Sequence, residues 1–365
     1  MTLATLDSTS LKINAELKYA EELERLKAAD QQRKPQGWQL SAHAVRKFIL
    51  GDSQLNIQKK FYGDDPLVDR ALVTLMGNQS LMLVGEPGTA KSMLSELLST
   101  AIGGSSQYTV QGTAGTTEDH IKYAWNYALL LAEGPSEKSL IASPIFNAMQ
   151  QGRIARFEEI TRCPAEIQDV LVSLLSEKLI MIPEMGPQHC VYAKQGFNLI
   201  ATANLRDRGV HEMSSALKRR FNFETVKPIQ NRQFEMDLVN LQLKQQLAEL
   251  YSEVKIETSV IELLVTIFNE LRTGQSLSGA NLKTPDAVMS TAEAVNTAHA
   301  AALHAIYLDD GQLTAQHIAQ QLLGVVFKDN PEDHKRLRYY IDTVVKERAR
   351  QDQDWQAFYT ASREF

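Results

Sequence analysis

The sequence predicts an α/β fold: a parallel β-sheet covered by helices on both faces in three layers, followed by an all-helical domain. Three observations lead there. Short apolar runs of strand length alternate with helical segments between residues 66 and 230, a pattern that gives parallel pairing through crossover helices. A glycine-containing loop, Gly85 to Ser92, separates one such run from a helix. From about Asn231 onward only helical periodicity remains. The length of 365 residues fits two domains at about 150 residues each, with some chain to spare.

The elements follow in chain order. About ten Ser/Thr-rich residues at the start read as frayed. Leu11, Ile13, Leu17, Ala20, Leu23 and Leu26 then fall on one stripe, predicting a helix over 12–30 that Pro35-Gln36-Gly37 stops. A second helix is predicted from Ala42, with Ser41 as its N-cap and Gly51 past its end. This extension, residues 1–65, reads as packing on the main domain, with a partner-docking arm as the alternative. Residues 66–230 form the α/β domain. It starts with a helix over 66–75 and a strand over 81–84. A helix over 92–101, a strand over 107–111 and an apolar run over 153–157 come next. A helix over 164–177 and a strand over 197–202 complete the pattern. Helices over 233–250, 259–271, 285–308 and 314–323 make a helical domain, 231–327. After the break at Asp329–Asp333, a tail of mixed charge over 335–365 reads as a solvated helix.

Composition bounds the class of function. Hydrophobic residues at 44% and charged residues at 22% describe a globular chain rather than a disordered one. The net charge of -6 gives no global attraction to nucleic acid. Cys163 and Cys190, the two cysteines, have no metal-ligand spacing and fit a reducing compartment. Neither a long apolar span nor a signal-type start occurs, so a cytoplasmic location and no membrane contact are expected. The eight histidines are scattered without metal spacing.

Gly85-Glu86-Pro87-Gly88-Thr89-Ala90-Lys91-Ser92 matches the phosphate-loop pattern G-x-x-x-x-G-K-[ST] in full, between a strand and a helix as its chemistry requires. Its backbone N–H groups and the positive end of the following helix favour phosphate oxygens. Lys91 would reach the β- and γ-phosphates, and the Ser92 hydroxyl would ligate Mg²⁺. No Asn-Lys-x-Asp guanine reader occurs. Leu277-Ser278-Gly279-Ala280-Asn281 superficially resembles a transporter signature but follows the acidic strand, and reads as a loop.

That acidic strand is Ile154-Ala155-Arg156-Phe157-Glu158-Glu159. A nucleotide hydrolase needs one carboxylate for hydrated Mg²⁺ and another to polarise the attacking water. Adjacent carboxylates at a strand's C-terminal end can divide those roles. A second strand ends in Ile200-Ala201-Thr202-Ala203-Asn204, where Asn204 could orient water or phosphate, and Lys218-Arg219-Arg220 forms a basic cluster beyond it.

The order GEPGTAKS, FEEITR, ATAN, ALKRRF and then a helical segment resembles the MoxR family of AAA+ ATPases, over roughly Trp38 to Leu323. GFNLIATANLRDRGVHEMSSALKRRFNFE and STAEAV are most similar to its YehL-like branch. The resemblance implies a P-loop AAA+ αβα sandwich with a helical lid. It places Walker A at Gly85–Ser92, Walker B at Glu158 and Glu159, sensor 1 at Asn204 and an arginine finger at Arg220, with Arg219 beside it. It further implies ATP and Mg²⁺ as cofactors and a homo-oligomeric ring, usually of six, whose active site is shared between subunits. Domain movement would remodel or activate a protein client bearing a von Willebrand factor A domain.

Two departures stand out. Most relatives carry Asp where this chain has Glu158. Where the family begins a lid helix with Ser-Pro-Arg, this chain has Thr284-Pro285-Asp286, and Lys283 is the nearby cation that could replace the arginine. Two inserts also fit the resemblance: 125–143, two apolar arms about Gly134-Pro135-Ser136, is expected to be a β-hairpin inside a helix, and 179–197 a hairpin turning near Gly186-Pro187. Plain surface loops are the alternative. Against a remodelling ATPase stand two other readings, a slowly hydrolysing ATP-binding scaffold and a nucleic-acid motor, the latter disfavoured by the acidic balance.

Overall fold

A computed structural model describes residues 13–204, 210–327 and 330–364. They divide into two compact units. One is built from the chain up to Gly85 and from Ala90 to Val226, the other from Glu86–Thr89 and the chain from Lys227 onward.

The first unit is organised by five parallel strands: β1 (Ser80–Val84), β2 (Thr109–Gln111), β5 (Ile154–Glu158), β8 (Asn198–Ala203) and β9 (Phe221–Thr225). They lie in the order β2-β5-β8-β1-β9. Strands β1, β5 and β8 are buried along their whole length, which is why they read as near-continuous apolar runs. The fifth strand goes beyond the sequence expectation; Phe221-Asn222-Phe223-Glu224-Thr225 alternates apolar and polar residues, as suits a half-buried strand at the sheet edge. Its register with β1 sets Phe221 opposite Ser80 and Thr225 opposite Val84.

One face of the sheet packs on the helices Asp65–Met76 and Lys91–Gly103 and on the N-terminal segment. Helix Ala42–Leu50 starts where expected: the Ser41 hydroxyl accepts from the Ala44 N–H, and Gly51 ends it at φ +88°. Val45, Phe48 and Ile49 of that helix are fully buried, worth about 1.5–3 kcal/mol apiece relative to exposure. The helix expected over 12–30 is broken at Tyr19 into Ala15–Lys18 and Ala20–Ala29. Leu11 and Lys12, and the start expected to be frayed, lie outside the described residues.

The opposite face carries Pro144–Gln151 and Ala165–Glu177, together with both inserts. The second insert is the expected hairpin, β6 (Leu179–Met181) antiparallel to β7 (Cys190–Tyr192). The first differs from expectation. Only β3 (Tyr123–Trp125) and β4 (Leu140–Ala142) pair, and the chain between them forms a helix, Tyr127–Glu133, capped by the Asn126 side chain. A run of Tyr-Ala-Leu-Leu-Leu-Ala-Glu has strong helix formers, and they prevail over the hairpin pattern.

The second unit is helical, with Arg232–Leu247, Thr258–Thr273, Thr291–Leu308 and Ala315–Leu322 around one core. A two-residue parallel pairing, β10 (Lys255–Ile256) with β11 (Gln312–Leu313), was unforeseen. The expected solvated tail is instead part of this core. Residues Pro331–Tyr340 form a helix that widens at Ile341–Val345 and continues to Arg348, and Gln353–Ala361 forms another. Leu337, Tyr340, Ile341, Val344, Val345 and Phe358 are all buried. Tyr340 and Arg348 donate hydrogen bonds to the buried Glu270 carboxylate, at 2.6 Å and 2.9 Å to Oε2. The mixed charges lie outside an apolar stripe with spacings of three and four residues.

Candidate active site

The phosphate loop takes up backbone conformations that few residues tolerate. Gly88 lies at φ +74° and Ala90, at the N-cap of Lys91–Gly103, at φ +67°. For a non-glycine residue such a left-handed conformation costs about 1 kcal/mol or more, and it turns the loop into the helix that begins at Lys91. Thr89 Oγ1 donates to the Glu86 carbonyl at 2.8 Å. Lys91 is buried, and its Nζ donates to the Gly85 carbonyl at 3.1 Å.

Beside it, the ends of β5 and β8 bring the predicted residues together. Ser92 Oγ donates to Glu158 Oε2 at 2.7 Å. Thr202 Oγ1 donates to the same oxygen at 2.7 Å and accepts from the Glu159 N–H at 3.0 Å. One β8 hydroxyl therefore sets both the first carboxylate and the backbone of the second. Glu159 itself is left-handed, at φ +55°. The turn directs its carboxylate to Asn204, whose Nδ2 donates to Oε1 at 2.8 Å, while Arg162 Nε lies 3.6 Å from Oε2. The close approach of Gly112 supports this turn: its N–H donates to the Glu158 carbonyl at 2.7 Å, and a Cβ there would lie 2.3 Å from the Glu159 carbonyl oxygen.

Glu158 is buried, and burial pushes its carboxyl up. The Arg156 guanidinium and hydrogen bonds from Ser95, Ser92 and Thr202 outweigh that effect and hold it below its ordinary value. It is therefore an anion at neutral pH. A buried carboxylate and a hydroxyl are hard oxygen donors of the kind Mg²⁺ takes alongside phosphate oxygens and water, so Ser92 and Glu158 fit the cation. Among the described residues no group of three or more His, Cys, Asp or Glu could hold a metal without such help.

Sequence reasoning missed three contributors: Arg156, Ser95 and Thr202. Arg156 was visible as an arginine inside an otherwise apolar strand, a placement that costs too much without a partner. Ser95 sits one helical turn beyond Ser92, on the same face.

The basic cluster is divided. Arg219 is exposed at the end of the helix Ser215–Lys218. Arg220 is half-buried, its Nε–H donating to Ser176 Oγ at 3.0 Å and its Nη1 to the Ala216 carbonyl at 2.8 Å. The lid departure needs correction. Thr284-Pro285-Asp286 does not begin a helix; it lies in the loop before one, and Lys283 is exposed in the same loop. The helix starts at Thr291, where Ser290 and Glu293 form a capping box. Asp286 is held by other contacts: its N–H donates to Asp333 Oδ1 at 2.7 Å, and its carboxylate pairs with Arg336 at 2.7 Å.

A parallel sheet in this order, with a phosphate loop after β1 and two carboxylates at the end of β5, defines the nucleotide-binding unit of an AAA+ ATPase. Residues 80–221 match the AAA domain of the dynein-related subfamily, and residues 233–364 match the C-terminal domain of YehL-like AAA+ ATPases. The chain is 48% identical over 344 residues to the uncharacterised protein YehL of Escherichia coli K12, covering 94% of each. An uncharacterised Staphylococcus haemolyticus protein, SH1500, is 26% identical over 62% of this chain and 78% of its own length. The crystal structure of NtrX from Brucella abortus in complex with ADP aligns with 82% of this chain and 64% of that one, at 14% identity and a TM-score of 0.47. The chain belongs to the YehL-like AAA+ ATPases. Among the described residues no helix is long and apolar enough to cross a membrane.

Proposed function

We propose that this chain hydrolyses ATP with Mg²⁺ and uses the reaction to remodel or activate a partner protein, as the resemblance to MoxR-type ATPases implies. The observation that supports hydrolysis is the continuous hydrogen-bonded chain from Ser92 through Glu158 and Thr202 to Glu159 and Asn204. When bound, Mg²⁺ would neutralise charge developing on the transferring phosphoryl group. Ser92 and Glu158 would hold the cation, and Lys91, buried beside the loop, would pair with the β- and γ-phosphates. Glu159 accepts a proton from the attacking water at its carboxylate, and Asn204 keeps that carboxylate oriented.

The exposed Arg219 and the tethered Arg220 are the candidates for completing a neighbouring subunit's site, which makes a homo-oligomeric ring, of six by the resemblance, the working form. The client would be a protein with a von Willebrand factor A domain, and the compartment the cytoplasm. Nucleic acid is a poor fit to the net charge of -6.

The test is ATP turnover by the assembled protein, wild type against Glu159→Gln, followed by identification of what the ATP-loaded variant retains. Loss of turnover with ATP retained is the expected result. Equal turnover in the two would move the base elsewhere. A second reading, an ATP-binding scaffold with slow or no hydrolysis, draws on the complete engagement of Glu158 by protein donors. It predicts tight ATP binding and negligible wild-type turnover.

A further inference from the structure

Arg156 lies two residues before Glu158 on β5, so both side chains leave the same face of the strand. That face looks onto the helix Lys91–Gly103. The guanidinium is buried and anchored on three elements. Its Nε–H donates to Ser95 Oγ at 3.0 Å and its Nη2 to the Ser92 carbonyl at 3.1 Å. Its Nη1 donates to the Ser106 carbonyl at 3.3 Å and to Thr109 Oγ1 at 3.4 Å. Nη2 also lies 2.7 Å from Glu158 Oε1, an oxygen that accepts from Ser95 Oγ at 2.6 Å.

The two oxygens of Glu158 are therefore sorted. Oε1 is held by Arg156 and Ser95, toward the interior. Oε2 faces Ser92 and Thr202, on the side of the phosphate loop. A planar, permanently charged group anchored at several points restrains a carboxylate's rotation, as a flexible ammonium would not. One carboxylate meets both sets of donors. Arg156 and Glu158 are thus a matched pair.

We propose that Arg156 is a positioning residue: by holding Oε1 it fixes Oε2 as the oxygen offered to nucleotide-bound Mg²⁺, and so sets how strongly nucleotide binding depends on the cation. This rests on the reading of the site as one for ATP and Mg²⁺.

The experiment measures the affinity of a non-hydrolysable ATP analogue with Mg²⁺ and with EDTA, for the full-length protein. In the wild type Mg²⁺ tightens binding. In Arg156→Met the ratio of the two affinities falls about 10-fold or more, the usual cost of removing a second partner of a metal ligand, while binding in EDTA persists through Lys91 and the loop. Arg156→Lys restores only part of the ratio. Should Arg156→Met not fold, Ser95→Ala, which removes the other Oε1 donor, gives a smaller fall in the same ratio. An unchanged ratio in a folded Arg156→Met, or in Ser95→Ala where that variant stands in for it, overturns the inference. Failure of the wild type to bind the analogue in either condition overturns the ATP reading instead.

Discussion

The side-chain amide of Asn204 donates to Glu159 Oε1 at 2.8 Å, so the candidate base and the polar residue closing β8 form one hydrogen-bonded pair across two neighbouring strands. Replacing Asn204 with Ala removes the hydrogen bond that holds Glu159 Oε1 and loosens the carboxylate, with Arg162 still beside Oε2. Steady-state kinetics should then show kcat reduced by about 10²-fold, the scale of a general-base contribution, with affinity for ATP nearly unchanged. An equal loss in ATP affinity would make Asn204 a ligand-binding group instead.

Lys91→Ala removes the ammonium that donates to the phosphate loop's Gly85 carbonyl. Calorimetric titration should show ATP binding abolished, while the melting temperature without nucleotide changes little. Retained affinity would mean that the loop does not hold phosphate.

Gly112→Ala forces a Cβ to within 2.3 Å of the Glu159 carbonyl oxygen. Overpacking of this kind costs about 1–3 kcal/mol, and relief requires moving the very turn that aims Glu159. Turnover should fall more than stability does, a separation that thermal melts and ATPase rates on the same preparation would reveal.

Arg219→Ala and Arg220→Ala should each assemble and bind ATP. Only the variant lacking the finger should lose turnover, by about 10³-fold or more. Arg219 is exposed, whereas Arg220 is tethered to Ser176 and the Ala216 carbonyl, contacts it would have to give up to act on another subunit. Mixing either variant with Glu159→Gln subunits distinguishes the two. Sites that pair an intact finger with an intact base recover activity only if the arginine acts across the subunit boundary.

In the helical unit, Arg348→Ala strips a charged partner from the buried Glu270. Breaking such a pair costs about 3–5 kcal/mol, toward the lower figure here because Tyr340 still donates to the same carboxylate. Hydrogen exchange along Thr258–Thr273 should report the loss as faster opening.

The parts of the molecule that chemistry dictates were legible because each is a short contiguous segment. Gly85–Ser92 must lead from a strand through a loop into a helix, and Glu158-Glu159 must lie at a strand's end. Asn204 could be placed for the same reason. What escaped was whatever depends on contacts distant in sequence. Arg156 and Ser95 matter through Glu158, and no local pattern ties the three. The start of the helix at Thr291 was announced by Ser290-Thr291-Ala292-Glu293, a capping-box signal, but Pro285 drew the boundary upstream. In the tail, Leu337, Tyr340, Ile341 and Val344 form a buried stripe that the surrounding Lys, Arg and Asp conceal, so its mixed charge suggests a solvated helix where the period marks a packed one.

The burial of Phe358 in the core of the helical unit has a consequence for synthesis. On the ribosome, that core cannot close until residue 358 has left the exit tunnel, long after the sheet strands from Ser80 to Thr225 have emerged and can pair. The nucleotide unit is thus free to form while its companion is still an incomplete bundle with exposed apolar helices. A chain cut short before Phe358 would lack that part of the core and leave its apolar neighbours exposed.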